Sequence, residues 1–123
     1  MKLEILKQNF SICKINAATQ IDFTDEFCFI GKTDEEFSLV CSTVCVPKQV
    51  IECDSGWKGF RIQGKLDFSL TGILAVLTKI LAENNIGIFA VSTFNTDYIL
   101  VREKALEQAI TALKLAGNEI IYL

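Results

Sequence analysis

Along the second half of the chain, the spacing of apolar residues changes from that of a strand to that of a helix and back. This order of strand and helix patterns constrains the fold more than any other feature of the sequence. Residues 60–66 alternate apolar and polar side chains, which is typical of a strand with one buried face. The next apolar residues recur at intervals of three and four, which predicts an amphipathic helix that begins near Ser69 or Thr71 and ends at Asn84 and Asn85. The apolar stripe of this helix consists of Leu70, Ile73, Leu74, Leu77, Ile80 and Leu81.

A hairpin, a second helix and a last strand follow. Residues 86–93 and 97–102 are two apolar segments on either side of a short turn, which predicts a hairpin. Residues 103–116 return to helical spacing, Gly117 occupies the C-terminal cap position, and residues 119–123 form a short strand. The order β-α-β-β-α-β predicts a ferredoxin-like antiparallel sheet with both helices on one face. Right-handed crossovers place its first and third strands side by side.

The first half predicts an abbreviated copy of the same unit. Its strands are predicted at residues 10–15, 27–32 and 37–42. Residues 20–25 and 46–53 are too short for full helices. A lone domain of about 60 residues buries only about 60 % of its unfolded surface, so two units that share a sheet or a helix layer gain stability. We therefore predict an α+β protein with a degenerate N-terminal unit (residues 1–58) and a complete C-terminal unit (residues 59–123).

Composition argues against several classes of function. Twelve basic and fifteen acidic residues give a net charge of −3. A nucleic-acid-binding protein is expected to have an excess of basic residues, so this charge argues against that class. The chain has no histidine, so the commonest general base and the usual ligand of catalytic zinc are missing. We therefore expect a non-catalytic protein that uses no cofactor and no metal.

Cysteine usage and hydropathy favour a cytoplasmic location. The five cysteines are odd in number, and residues 1–10 do not resemble a signal peptide. Cys41 and Cys45 are separated by three residues rather than by the two of a zinc knuckle, so buried reduced thiols are expected. No segment approaches the roughly 20 apolar residues of a membrane helix, so no membrane partner is expected either.

Two loops of the second half have the chemistry to bind a ligand. Gly72 lies near the predicted helix start, where backbone N–H groups and the helix dipole favour a carboxylate or phosphate, although a glycine there also permits close packing. In the hairpin, Asp97 can accept hydrogen bonds from an ammonium group and Thr93 adds a hydroxyl, although local turn bonding explains the same residues. We expect any pocket that joins the two loops to lie at an interface between the two halves or between two chains.

Residues 66–75 and 88–101 resemble an ACT domain, in particular the small bacterial tandem-ACT proteins whose second half carries the signature STxxTDYILV. The resemblance spans residues 60–116 and is weaker over residues 9–57. It implies a βαββαβ regulatory module that binds an amino acid or another small effector at an interface between paired domains. Thr71 departs from the pattern, because many ACT domains have proline before the loop glycine.

The resemblance also implies which residues bind the effector. By position, the backbone of four residues at the helix start contacts the α-carboxylate, and three hairpin residues face the α-amino group or the side chain. The first set is Leu70, Thr71, Gly72 and Ile73, and the second is Thr93, Phe94 and Asp97. The expected protein is therefore a homodimeric, cytoplasmic amino-acid sensor, and the alternative is a ligand-free protein-protein interaction or dimerisation module.

Overall fold

The computed structural model describes residues 1–64 and 72–123, and within them the apolar segments fold into seven strands and two α-helices. The strands are β1 (Lys2–Lys14), β2 (Cys28–Lys32), β3 (Phe37–Ser42), β4 (Glu52–Ile62), β5 (Ile88–Ser92), β6 (Asp97–Arg102) and β7 (Glu119–Tyr122). The α-helices are α1 (Ile73–Glu83) and α2 (Leu106–Leu115), and short 3₁₀ turns span Thr43–Cys45 and Glu103–Ala105. The predicted helix start at Ser69 or Thr71 lies outside the described residues.

The chain divides into two compact units. The larger unit comprises Met1–Lys7 and Lys58–Leu123, and the smaller unit comprises Gln8–Trp57. Strands β1 and β4 have residues in both units. The domain boundary between residues 58 and 59 stays a prediction, and the first seven residues group with the second half of the chain.

The larger unit has the predicted element order β4-α1-β5-β6-α2-β7. Its strands lie in the order β7-β1-β4-β6-β5, so the first and third strands of the predicted motif, β4 and β6, are neighbours as expected. Strand β1 is an addition to the motif: it pairs in parallel with β7, with Lys2 opposite Glu119 and Ile5 opposite Tyr122. The sequence pattern predicts no strand before residue 10, because charged residues interrupt the apolar ones there.

One face of the larger unit's sheet is buried beneath both helices. Helix α1 buries Leu77 and Leu81, and α2 buries Leu113, in a core shared with strand residues two positions apart, which therefore point to the same face. These strand residues are Phe60, Ile62, Ile99 and Val101. The predicted one-sided helix layer and the stripe of Ile73, Leu74, Leu77, Ile80 and Leu81 are confirmed.

Helix α1 ends where the sequence predicts. Asn84 is the C-cap residue, and its side-chain amide donates to the carbonyl of Ile80 at 2.8 Å. Asn85 follows with a φ of 58°, a left-handed conformation that asparagine tolerates better than most residues.

The smaller unit repeats the larger one without its helices. Its strand order is β2-β3-β1-β4, which is the ferredoxin-like order. The hairpin of β2 and β3 corresponds to that of β5 and β6 in strand length and register, since Cys28 lies opposite Cys41 and Ile88 lies opposite Val101. A 3₁₀ turn follows each hairpin directly. The predicted abbreviated copy is therefore confirmed.

Short loops replace the helices of the smaller unit. Asp25 fixes the loop after β1, because its carboxylate accepts hydrogen bonds from the backbone N–H and the hydroxyl of Ser42 at 2.8 and 2.7 Å. Val46 and Val50, from the connection between β3 and β4, pack against a buried cluster on the sheet. This cluster consists of Cys13, Ile15, Leu39 and Cys41.

We expect Leu77→Ala to lower the free energy of unfolding by about 2 to 5 kcal/mol, because it leaves a cavity beneath α1. Leu77 is 0 % exposed. The matched control is Val76→Ala, one position along the same helix, where the side chain is 55 % exposed and the expected change is within about 0.5 kcal/mol. Urea denaturation measures both, and equal losses would contradict the one-faced core.

Candidate functional site

The hairpin between β5 and β6 is closed by its own polar groups. The N–H of Thr93 donates to the carbonyl of Thr96 at 2.9 Å, and the Thr93 hydroxyl donates to the same carbonyl at 3.1 Å. Ser92 lies opposite Asp97, and its hydroxyl donates to Asp97 Oδ1 at 2.5 Å. The local turn bonding expected from the sequence is therefore present at these residues. The bond from Ser92 orients the Asp97 carboxylate, and Asp97 remains partly exposed.

Thr96 attaches the hairpin to the end of β4. Its hydroxyl donates to the carbonyl of Ile62 at 2.9 Å, and only 8 % of the residue is exposed. Ile62 is the last residue of β4, and the chain runs from there towards Gly72. The hairpin turn therefore lies at the sheet end where the β4–α1 connection starts, within one unit. Thr96 is not among the residues predicted for the site, because a threonine among exposed turn residues carries no signal of its burial.

Gly72 provides a helix start without a side-chain cap. It is the N-cap residue of α1, with a φ of 79° in the left-handed region, where a residue with a Cβ is strained. Among the described residues, no atom lies within 4 Å of where a Cβ would stand and no side chain caps the helix. Close packing of helix on strand is therefore not what requires this glycine. The first intrahelical bond reaches Gly72 from Val76 at 2.9 Å.

In the part of the chain that the structure describes, the first turn of α1 has no side-chain cap, and its backbone N–H groups have the chemistry to donate to an anion. The N–H groups of Ile73, Leu74 and Ala75 precede the first intrahelical bond, and the helix dipole adds partial positive charge at the same place. The side chain of Ile73 is partly buried against the core of the larger unit.

The predicted site residues fall into three groups. Leu70 and Thr71 lie outside the described residues. Gly72 and Ile73 form the helix start, and Thr93, Phe94 and Asp97 form the hairpin, where the Phe94 side chain is 71 % exposed. Their joint role in binding stays a prediction.

A cavity of about 510 Å³ lies in the smaller unit, and none of the residues that line it is a predicted site residue. It is lined by Gln20, Asp22, Val44, Cys45, Val46, Pro47, Lys48 and Gln49. Hydrogen bonds from the hydroxyl and the backbone N–H of Thr24 lower the pKa of Asp22. No sequence pattern predicts this cavity, because its walls come from two loops that only tertiary packing brings together.

Within residues 1–64 and 72–123, no group of three or more cysteine, aspartate or glutamate side chains is arranged to hold a metal ion. In the same residues, no helix has the length and apolar character needed to cross a membrane.

The fold defines a class, that of α+β proteins built from ferredoxin-like units. The ACT domain family matches residues 52–114 of the chain. A crystal structure of a protein from Agobacterium tumefaciens is 37 % identical, with a TM-score of 0.85, and the alignment covers 99 % of this chain and 92 % of that one. The chain belongs to the ACT domain family.

Two more distant solved structures share the fold. One is aspartate kinase of Clostridium acetobutylicum, with 14 % identity and a TM-score of 0.63 over 90 % of this chain and 33 % of that one. The other is the regulatory subunit of aspartate kinase from Thermus thermophilus in its ligand-free form, with 9 % identity and a TM-score of 0.63 over 94 % and 96 %. Family membership supports a regulatory module that binds a small ligand.

We expect Gly72→Ala to destabilise the protein by about 1 to 2 kcal/mol, because alanine must adopt the left-handed φ of 79°. The described residues leave the space around this Cβ open, so the expected cost comes from the backbone. Gly87→Ala is the matched control: its Cβ also meets open space and its φ lies outside the left-handed region, so a change within about 0.5 kcal/mol is expected. Thermal and urea denaturation compare the two, and an unchanged Gly72→Ala protein would contradict the helix-start geometry.

Proposed function

We propose that the protein is a non-catalytic amino-acid sensor that binds its effector at an inter-subunit interface, where the start of α1 and the hairpin of the larger unit supply the contacts. The observation that supports this most is the bond from the Thr96 hydroxyl to the carbonyl of Ile62, which holds the hairpin turn at the end of β4 from which the chain leads to the start of α1. Backbone donors stand at Gly72, and a partly exposed carboxylate stands at Asp97 beside a turn that Thr96 attaches to the end of β4.

An α-amino acid has the charges that such a pair would recognise. Its carboxylate would accept hydrogen bonds from the first-turn N–H groups of α1, where the helix dipole is favourable. Its ammonium group would donate to Asp97, which accepts one bond from Ser92 and has further lone pairs on its two oxygens. The Thr93 hydroxyl stands at the same turn. A ligand without an ionised carboxylate or ammonium group would use neither part of the site.

Regulation would follow from differential binding. A ligand that binds one arrangement of paired domains more tightly shifts the population towards that arrangement, and it acts on a partner only to that extent. The Thermus neighbour is named a regulatory subunit, and the Clostridium neighbour is described as an allosteric enzyme, which supports a regulatory role for this fold. We propose a cytoplasmic homodimer as the acting form.

The smaller unit would not hold a second copy of this site. Phe37 lies opposite Lys32 in its hairpin, as Asp97 lies opposite Ser92 in the other, and so replaces the carboxylate with an apolar ring. Within residues 8–57, all of which the structure describes, no α-helix follows β1, so this unit has no helix start to supply backbone donors.

We expect one effector molecule per chain by isothermal titration calorimetry, because only the larger unit supplies both parts of the site. A stoichiometry of two per chain would contradict the assignment of a single site, and the variants below would show which unit holds the other.

We expect one or a few of the twenty amino acids to raise the melting temperature of the purified protein. A ligand at about 100 times its Kd adds about 2.7 kcal/mol to the free energy of unfolding. Asp97→Asn should weaken binding by about ten- to a hundredfold, because it removes the charge that faces the ammonium group. Asp34→Asn is the matched control, since Asp34 lies in the exposed hairpin turn of the smaller unit and should leave the Kd unchanged.

The same experiment separates the sensor from the ligand-free interaction module. Melting temperatures that stay flat across all twenty amino acids, in a protein that sediments as a stable dimer, would favour the interaction module. Equal Kd values for the native chain and Asp97→Asn would remove the hairpin from the site even if an amino acid binds.

A further inference from the structure

Two cysteines of the smaller unit face each other across neighbouring strands. Cys13 lies on β1 and Cys53 on β4, and their sulfurs are 3.6 Å apart, with the Cys13 S–H directed at the Cys53 sulfur. The next pair along the same strands, Ser11 and Ser55, has hydroxyl oxygens 2.7 Å apart. Residue numbers rise on one strand as they fall on the other, so the strands are antiparallel and both pairs lie on one face.

The two thiols differ in their access to solvent. Cys13 is 1 % exposed and belongs to the buried cluster beneath Val46 and Val50, whereas Cys53 is exposed. A short connection runs from β3 to β4 in place of the second helix, and it covers the first sulfur without covering the second. An oxidant can therefore reach Cys53 directly, and the sulfur nearest to it belongs to a buried thiol.

We propose that Cys13 and Cys53 form a reversible intramolecular disulfide when Cys53 meets a low-molecular-weight disulfide such as glutathione disulfide. The Cys53 thiolate attacks one sulfur of glutathione disulfide, and the sulfur-sulfur bond breaks to release one glutathione thiolate. Cys13 then attacks the Cys53 sulfur of the mixed disulfide and releases the second glutathione, while the proton of Cys13 passes to the departing thiolate. The two protein thiols are oxidised and one glutathione disulfide is reduced to two glutathione molecules.

The geometry requires only a small movement. A disulfide has a sulfur-sulfur distance of about 2.05 Å, so side-chain rotation on two paired strands has to close a gap of about 1.5 Å. Cys41 is the other candidate partner of Cys13, but it is buried, so an oxidant cannot reach that pair directly. The Cys13–Cys53 bond would tie β1 to β4, the two strands that have residues in both units.

The order of the two steps follows from burial. Burial raises the pKa of the Cys13 thiol to about 12, and a hydrogen bond to Cys53 adds to the rise, so Cys13 stays protonated near neutral pH. Cys53 is the exposed sulfur and Cys13 the buried one, so Cys53 meets the oxidant first and ring closure by Cys13 is the slower step.

We expect glutathione disulfide to convert the reduced full-length protein into a form with one Cys13–Cys53 disulfide. After the remaining thiols are alkylated, non-reducing peptide mass mapping should find these two cysteines in one cross-linked peptide pair and Cys28, Cys41 and Cys45 alkylated. A reductant should restore five alkylatable thiols. A persistent glutathione adduct on Cys53, a disulfide to another cysteine, or a bond between two chains would overturn the proposal.

Variants test each sulfur separately. Cys53→Ser changes an exposed residue and should abolish the intramolecular disulfide, whereas Cys13→Ala should trap the glutathione adduct on Cys53. Cys45→Ser is the matched control and should form the Cys13–Cys53 bond as the native chain does. Cross-linking that survives Cys53→Ser would contradict the assignment, even if Cys13→Ala fails to fold.

The pH dependence identifies the slow step. When the Cys53–glutathione adduct is formed first and freed of excess reagent, ring closure should quicken about tenfold per pH unit between about pH 7 and 9, because the Cys13 thiolate fraction grows by that factor below its raised pKa. A rate that does not change over this range would exclude Cys13 as the attacking thiol.

Discussion

The burial of one sheet face beneath α1 and α2 is the constraint on which the larger unit depends. Phe60 and Ile62 on β4, and Ile99 and Val101 on β6, point into the core that Leu77 helps to fill. This sheet face fixes where α1 lies, because the apolar stripe of α1 spans only one side of the helix and has to pack against the sheet. It also holds β4 and β6 as neighbours, which brings the hairpin turn to the end of β4. The placement of the hairpin turn at the end of β4 is thus a consequence of core packing, and the Thr96 hydroxyl secures it.

The two units show what the loss of helices changes. Their hairpins share strand lengths and register, but the smaller unit covers its sheet with loops. The larger unit therefore keeps a helix start and a hairpin carboxylate. The smaller unit has a phenylalanine at the equivalent hairpin position and an exposed thiol beside a buried one. One architecture thus provides two chemically different surfaces in one chain.

Much of the fold could be predicted because its strongest signals are local. The hairpin strand β6 was predicted with its observed bounds, and so was β3, since both are short apolar segments between polar turns. The end of α1 was predicted from its asparagines. The first strand was not predicted before residue 10, because Lys2, Glu4 and Lys7 interrupt the apolar pattern, and pairing with β7 stabilises that segment from outside its own sequence.

By itself, the sequence determined the order of elements, the buried face of each helix and the residue types of the candidate site. These follow from periodicity and from the chemistry of glycine, threonine and aspartate. Only the tertiary structure decided that Thr96 is buried against Ile62, that the N-terminal strand lies between β4 and β7, and that Cys13 and Cys53 are neighbours. Each of these contacts joins residues that are far apart in the chain, and such contacts form only when the strands pair and pack into the folded protein.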